Sequence, residues 1–175
     1  MKLYRLSVFL FNALLVLTAT AGGSHTGGDG HEETAIGEAG EASKVTRTVA
    51  VNMTDAMQFK PAKVSVKQGE TIRFVVNNQG QLKHEFVLGK VESLKEHAAL
   101  MLKFPKMEHA DPNMVSLPPS HSGEVIWKFT RAGPVDFACL QPGHFEAGMK
   151  GEVQVAKSKA TVAKPVNSAV TAHTH

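Results

Sequence analysis

Cys139 is the sole cysteine of this 175-residue chain. It opens the segment Cys139-Leu140-Gln141-Pro142-Gly143-His144-Phe145-Glu146-Ala147-Gly148-Met149. Pro142-Gly143 is a turn signal ahead of His144, and Gly148 a second one ahead of Met149, so the segment can double back and bring three side chains together. Strand alternation in Val135-Asp136-Phe137-Ala138-Cys139 sets Val135, Phe137 and Cys139 on one face, which sends the thiol inward. The same period in Lys83-His84-Glu85-Phe86-Val87-Leu88 sets His84 beside Phe86 and Leu88. Two strands that each turn a donor inward, with a bent loop closing one of them, restrict the chain to folds in which both strands line one core.

A thiolate, two imidazoles and a thioether form the donor set of a mononuclear type 1 copper centre. The thiolate is the strong soft donor, imidazole suits both copper oxidation states, and a long thioether contact biases the potential. Taken singly, a Cys or Met reads as ordinary packing; Cys139, His144 and Met149 on one Gly/Pro-bent loop, with His84 inward on another strand, read as a metal site. The expected cofactor is one copper, and the expected chemistry is binding and one-electron transfer. The edge of His144 is expected at the surface within an apolar patch made by Leu140 and Phe145.

These residues resemble the ligand loop of the cupredoxins, the plastocyanin/azurin superfamily, in Pro142-Gly143-His144 and Ala147-Gly148-Met149-Lys150-Gly151. The resemblance runs from about Val45 to Ala156. It implies that His84, Cys139 and His144 are the equatorial ligands and Met149 the axial one. The long ligand loop, the stretch Val51-Asn52-Met53-Thr54-Asp55-Ala56-Met57-Gln58-Phe59-Lys60-Pro61 and the His-bearing tails look most like the periplasmic copper-tolerance (Cop-type) cupredoxins. One departure stands out: many members carry Asn directly after the first His ligand, where it ties the two ligand-bearing segments together, and here that residue is Glu85. A carboxylate there disfavours reduction if ionised and needs a hydrogen-bond partner if buried.

The fold expected is an all-β, Greek-key β-sandwich with one short inserted helix. Val45, Val49, Val51 and Met53 alternate with polar residues, as do Ile72, Phe74 and Val76, then Val125, Trp127 and Phe129, then Val153 and Val155. Short strands separated by Gly, Asn and Pro predict antiparallel sheets, with Lys67-Gln68-Gly69-Glu70 as a tight turn. Ser93-Leu94-Lys95-Glu96 has the form of a capping box, and Leu94, Ala98, Met101 and Leu102 follow at helical spacing, predicting a helix over about 92–103.

Residues 1–21 read as a cleaved export signal: Lys2 and Arg5 precede an apolar run from Leu6 to Leu17, and Ala19-Thr20-Ala21 offers small residues for cleavage. That run is shorter than the ~20 residues a spanning helix needs, so no stable membrane insertion is expected after cleavage. Residues 22–43 and 157–175 read as a disordered linker and a disordered His-bearing tail, with 44–156 the single domain between them. Without Lys2 and Arg5 the basic residues fall from 19 to 17 against 16 acidic ones. That balance argues against a nucleic-acid partner, which needs a concentrated basic face.

Met107, His109 and Met114 form a candidate accessory copper group, since thioethers favour Cu(I) and imidazoles Cu(II). His25, His31, His173 and His175 decorate the tails, and His97 and His121 read as surface residues. A multicopper oxidase needs histidines on both sides of the copper cysteine, and here the neighbours are Ala138 and Leu140. A nitrite reductase needs a second, three-histidine copper, and a binuclear centre needs two cysteines. The reading is therefore a non-enzymatic periplasmic cupredoxin whose partners are copper ions, contributing to copper tolerance. The alternative is a soluble electron carrier with a redox partner protein.

Overall fold

A computed structural model describes residues 35–107 and 110–158. The strands are β1 (Glu38–Ala39), β2 (Arg47–Thr54), β3 (Gln58–Lys60), β4 (Lys63–Lys67), β5 (Thr71–Asn78), β6 (His84–Gly89), β7 (Met114–Leu117), β8 (Ser122–Lys128), β9 (Gly133–Ala138) and β10 (Lys150–Ala156). A 3-10 turn spans Ala42–Lys44, and the inserted helix α1 spans Val91–Lys103 between β6 and β7. Two five-stranded sheets face each other, ordered β1-β8-β5-β2-β3 and β4-β10-β9-β6-β7. The β-sandwich with a helix is thus the architecture the sequence predicts.

The sheets are mixed where antiparallel pairing was expected: β2 runs parallel to β5 and β4 parallel to β10. Alternation reports which face a side chain takes and is blind to strand direction. Between β4 and β5 the chain changes sheets through the anticipated turn, in which Gly69 adopts φ +91 and Lys67 N–H donates to Glu70 Oε2 at 2.7 Å. A crossing between sheets leaves each new strand free to run alongside an earlier one.

The core lies between the sheets. Phe86 stacks at 5.0 Å from Phe137 and 5.2 Å from Phe74, and Phe59 meets Phe137 edge-on at 5.0 Å. Such aromatic pairs add roughly 0.5–1.5 kcal/mol each beyond simple burial. Cys139 and Met149 belong to this same cluster, so the candidate donors are fixed by the packing of the main core. Strand β6 is buried on both faces. Its inner face carries His84, Phe86 and Leu88, and the outer face is roofed by α1, whose Leu94, Ala98 and Met101 pack with Val87, Ala138, Leu140 and Phe145.

The helix starts before the expected capping box. Lys90 is the N-cap without a side-chain cap, Leu94 N–H donates to Lys90 O at 2.9 Å, and Ser93 lies inside the first turn. Burial of Leu94 sets the helix phase, and that outweighs a cap contribution of about 1 kcal/mol.

Part of the stretch expected as linker, from Ile36 to Gly40, is docked on the domain. Ile36 is 1% exposed, its carbonyl accepts the Trp127 indole N–H at 3.2 Å, and Glu38–Ala39 pairs with Lys128 and Trp127. One isoleucine in a polar stretch is enough to anchor it, because it covers a buried Trp whose N–H needs an acceptor. Gly37 allows the approach: its φ is +134, and a Cβ there would stand 2.2 Å from Lys128 O. The remainder of that linker, the signal and the segment 159–175 lie outside the described residues. Ile36→Ala should cost about 2–5 kcal/mol, read as a lowered urea midpoint of the metal-free protein; a change under about 0.5 kcal/mol would place Ile36 outside the core.

Candidate metal centre

His84 opens β6, and Cys139 follows directly on β9. The ligand loop that follows is closed by backbone hydrogen bonds: Cys139 N–H donates to Met149 O at 3.1 Å, and Met149 N–H donates to His144 O at 3.0 Å. His144 N–H donates to Gln141 O at 2.9 Å, which makes the Pro142-Gly143 turn, with Gly143 at φ +83. Gly148 N–H donates to Phe145 O at 3.1 Å with Gly148 at φ +94, the second turn foreseen from the sequence. A side chain at either glycine would meet open space, so φ alone requires glycine there.

The loop brings the donors together. Cys139 Sγ lies 3.3 Å from His144 Nδ1 and 3.8 Å from His84 Nδ1, and the two Nδ1 atoms are 3.2 Å apart. Among the described residues these three make a group able to hold a metal ion, with donor atoms all within 4.8 Å of one another. His84, Cys139 and Met149 are fully buried, and His144 is part-buried. Two imidazole nitrogens and a sulfur converging on one point fit a single copper ion of the type 1 class, with the Met149 thioether in the same core cluster.

The electrostatics favour a neutral pocket in the absence of metal. Burial pushes the Cys139 thiol up from 9.0 to about 12, and the nearby Glu85 charge adds to this, while the Glu85 and Gln141 backbone N–H groups pull the other way. Ionising the thiol in the metal-free fold therefore costs on the order of 4 kcal/mol more than in water. Burial, and then the neighbouring His84, hold the His144 imidazole below its ordinary 6.5. It is therefore a neutral lone-pair donor at neutral pH.

Glu85, the departure from the family pattern, is 4% exposed and turned away from the donors. Its Oε1 accepts Gln141 Nε2–H at 2.6 Å and Ser116 Oγ–H at 3.1 Å. Its own backbone N–H donates to Cys139 Sγ at 3.3 Å. Glu85 thus links β6, β7 and the ligand loop, which is the linking task the resemblance gave to Asn, performed through a longer side chain.

Two expectations change. Leu140 and Phe145 are 1% and 7% exposed, packed beneath α1, so they form no surface patch around His144. The tight turns rotate both inward, where α1 offers apolar cover. Met114 is also buried there, Met107 is 42% exposed, and His109 lies outside the described residues. Sequence reasoning missed Asp55, whose Oδ1 stands 3.0 Å from His84 Nε2. The only signal was its place in a turn between two strands, which is also what an ordinary turn aspartate shows.

Linkage follows from the two shifts. The His144 shift withdraws stability as pH falls through about 6.5, because the unfolded chain protonates first. The Cys139 shift withdraws it as pH rises from 9.0 toward about 12, because the unfolded chain ionises first. The metal-free protein should therefore be most stable between those limits, with Cys139 inert to alkylating reagents at neutral pH until the chain is denatured. Rapid alkylation of the native protein would contradict the buried, protonated thiol.

Residues 45–156 match the sequence model of the copper binding proteins, plastocyanin/azurin family. The "Copper-resistant cuproprotein CopI" of Rubrivivax gelatinosus is 47% identical over 161 residues, covering 88% of this chain and 98% of that relative. The protein of the same description from Pseudomonas aeruginosa is 35% identical over 172 residues, covering 82% and 94%. In fold the chain is similar to the reduced auracyanin of Roseiflexus castenholzii, with TM-score 0.56 and 21% identity, covering 64% of this chain and 98% of that one. The donor geometry and these likenesses agree: the chain belongs to the plastocyanin/azurin family of copper-binding proteins, among its Cop-type cupredoxins.

Proposed function

We propose that this chain is a periplasmic copper-tolerance cupredoxin, with His84, Cys139 and His144 as equatorial ligands and Met149 as the axial one. The observation that carries the reading is the convergence of Sγ and two Nδ1 atoms within 4.8 Å in a buried pocket. The name borne by the relatives from R. gelatinosus and P. aeruginosa, copper-resistant cuproprotein, supports the physiological half. When bound, copper supplies one-electron chemistry between Cu(I) and Cu(II). The chain's own residues hold the donors and keep water out: Leu140 and Phe145 seal the helix side, and the buried faces of β6 and β9 seal the core side. A non-enzymatic role is part of the proposal, supported by the family of copper-binding proteins to which the chain belongs. The reading of residues 1–21 as an export signal supports the periplasmic location. No helix among the described residues is long and apolar enough to cross a membrane. Met107 and His109 are proposed as a weaker accessory copper contact; Met114 is left out because its side chain is committed to the packing under α1.

One observation favours the second reading, a soluble electron carrier. His144 is the part-buried donor, which gives electrons a short route to the surface. Both readings use one site, so cells must separate them. A deletion strain should grow poorly in elevated copper and normally on respiratory substrates, and rescue should depend on His84, Cys139 and His144. A strain that tolerates copper like its parent but loses a respiratory activity would establish the carrier.

At the site itself, Cys139→Ser should abolish the intense visible band of the oxidised copper protein, and a band that survives would refute thiolate ligation. Met149→Leu should keep copper and colour while raising the reduction potential, because loss of the thioether destabilises Cu(II) more than Cu(I). An unchanged potential would place Met149 outside the coordination sphere.

A further inference from the structure

Asp55 lies in the turn between β2 and β3, far along the chain from the donors, yet its carboxylate reaches the back of His84. Oδ1 stands 3.0 Å from His84 Nε2 and accepts Leu82 N–H at 3.3 Å, while Oδ2 accepts Gln81 N–H at 2.7 Å. Room for it is made by Gly80, where a Cβ would come within 1.9 Å of Oδ1 and 2.7 Å of Cγ. The requirement for glycine here is space, since the backbone of Gly80 lies outside the left-handed region. From the other side, buried Asn78 accepts Gly80 N–H at 2.9 Å and donates to Leu82 O at 2.7 Å and Leu117 O at 3.0 Å. The short connection from β5 to β6 is therefore held between two polar side chains, and Asp55 is the one that touches a donor residue.

A neutral imidazole has one N–H and one lone pair, and an ionised carboxylate can only accept. Both Asp55 oxygens already act as acceptors, Oδ2 from Gln81 N–H and Oδ1 from Leu82 N–H. Nε2 must then carry the hydrogen. The lone pair falls on Nδ1, the nitrogen that faces Cys139 Sγ and His144 Nδ1. A carboxylate behind a ligating imidazole fixes its ring and raises its basicity.

We propose that Asp55 is a positioning residue of the metal centre: it locks His84 in the Nε2–H tautomer, aims Nδ1 at the site, and favours the oxidised ion over the reduced one. This rests on the assignment of His84 as a ligand. Because the Asp55 side chain is 37% exposed, solvent screens its charge, and the tautomer lock is the larger part of its effect.

The test uses the purified protein with and without copper. In the metal-free wild type, nitrogen NMR of labelled histidine should show His84 protonated at Nε2 with a slowly exchanging proton. Asp55→Ala should give a tautomer mixture and fast exchange, and Asp55→Asn, which keeps an acceptor oxygen, should preserve the tautomer. With copper, loss of the carboxylate should weaken Cu(II) binding by about 10–100-fold, with Cu(I) affected less. Each tenfold loss confined to Cu(II) raises the potential by about 59 mV. A wild-type His84 protonated at Nδ1, or an Asp55→Ala protein with unchanged tautomer and potential, would overturn the proposal. Should Asp55→Ala fail to fold, Gly80→Ala takes its place, since the added methyl displaces the carboxylate without removing its charge. If the wild type binds no copper, the ligand assignment falls, and the metal-free NMR comparison still decides whether Asp55 locks His84.

Discussion

The structure turns on two backbone hydrogen bonds, Cys139 N–H to Met149 O and Met149 N–H to His144 O. The first continues the ladder between β9 and β10 past its last register pair, Ala138 with Lys150, and the second closes the loop on itself. The ligand loop is thereby an extension of a sheet, and three donor-bearing residues inherit the rigidity of a hairpin. Sites supported by regular elements hold their geometry better than sites carried on free loops. This matters because Cys139 and His144 bring no charge to the pocket before metal arrives: the thiol is protonated and His144 is neutral. Main-chain bonds and core packing do the assembling instead.

Packing on the far side of the second sheet completes that support. The helix α1 buries Val87, Ala138, Leu140 and Phe145, which alternate with or follow the donors in sequence. Cys139 and His144 thus have sequence neighbours anchored beneath the helix, so that part of the loop is gripped from both faces. Glu85 belongs to the same layer. Burying a carboxylate is costly, and its Oε2 makes no hydrogen bond among the described residues. The bonds from Gln141 and Ser116 to Oε1 offset part of that cost and tie the loop to β6 and β7. The residue that departs from the family pattern is therefore a strut of the ligand loop, reached from the opposite face of the strand to His84.

The sandwich and the convergence of the four candidate donors were legible in the sequence because both depend on local signals. Gly143 and Gly148 announce turns, and alternation in 135–139 and 83–88 declares which side chains face the core. Strand direction was not legible, since a period of two is the same in parallel and antiparallel ladders. Neither was the docking of Ile36 to Gly40, which depends on contacts with β8 about ninety residues along the chain. Asp55 escaped notice for the same reason: its partner is set by where two loops meet in space, and no spacing in the chain encodes that distance. Leu140 and Phe145 were placed on the wrong side because the cover α1 provides is itself a tertiary fact.

The two histidines are held unequally, and that inequality shapes what the site is suited to do. His84 is enclosed, begins a strand buried on both faces, and has its second nitrogen fixed by Asp55. His144 follows exposed Gly143 on the loop and is part-buried, its ring set by the turn and by contact with Cys139 Sγ and the His84 ring. Motion that opens the pocket costs least on the His144 side, where few buried contacts must be broken. On the proposed function, ion entry and electron exchange would share that edge. On the proposed reading this is economical: a chain that captures copper and can change its oxidation state needs only one exposed ligand, while the enclosed Cys139–His84 side keeps the ion from being lost.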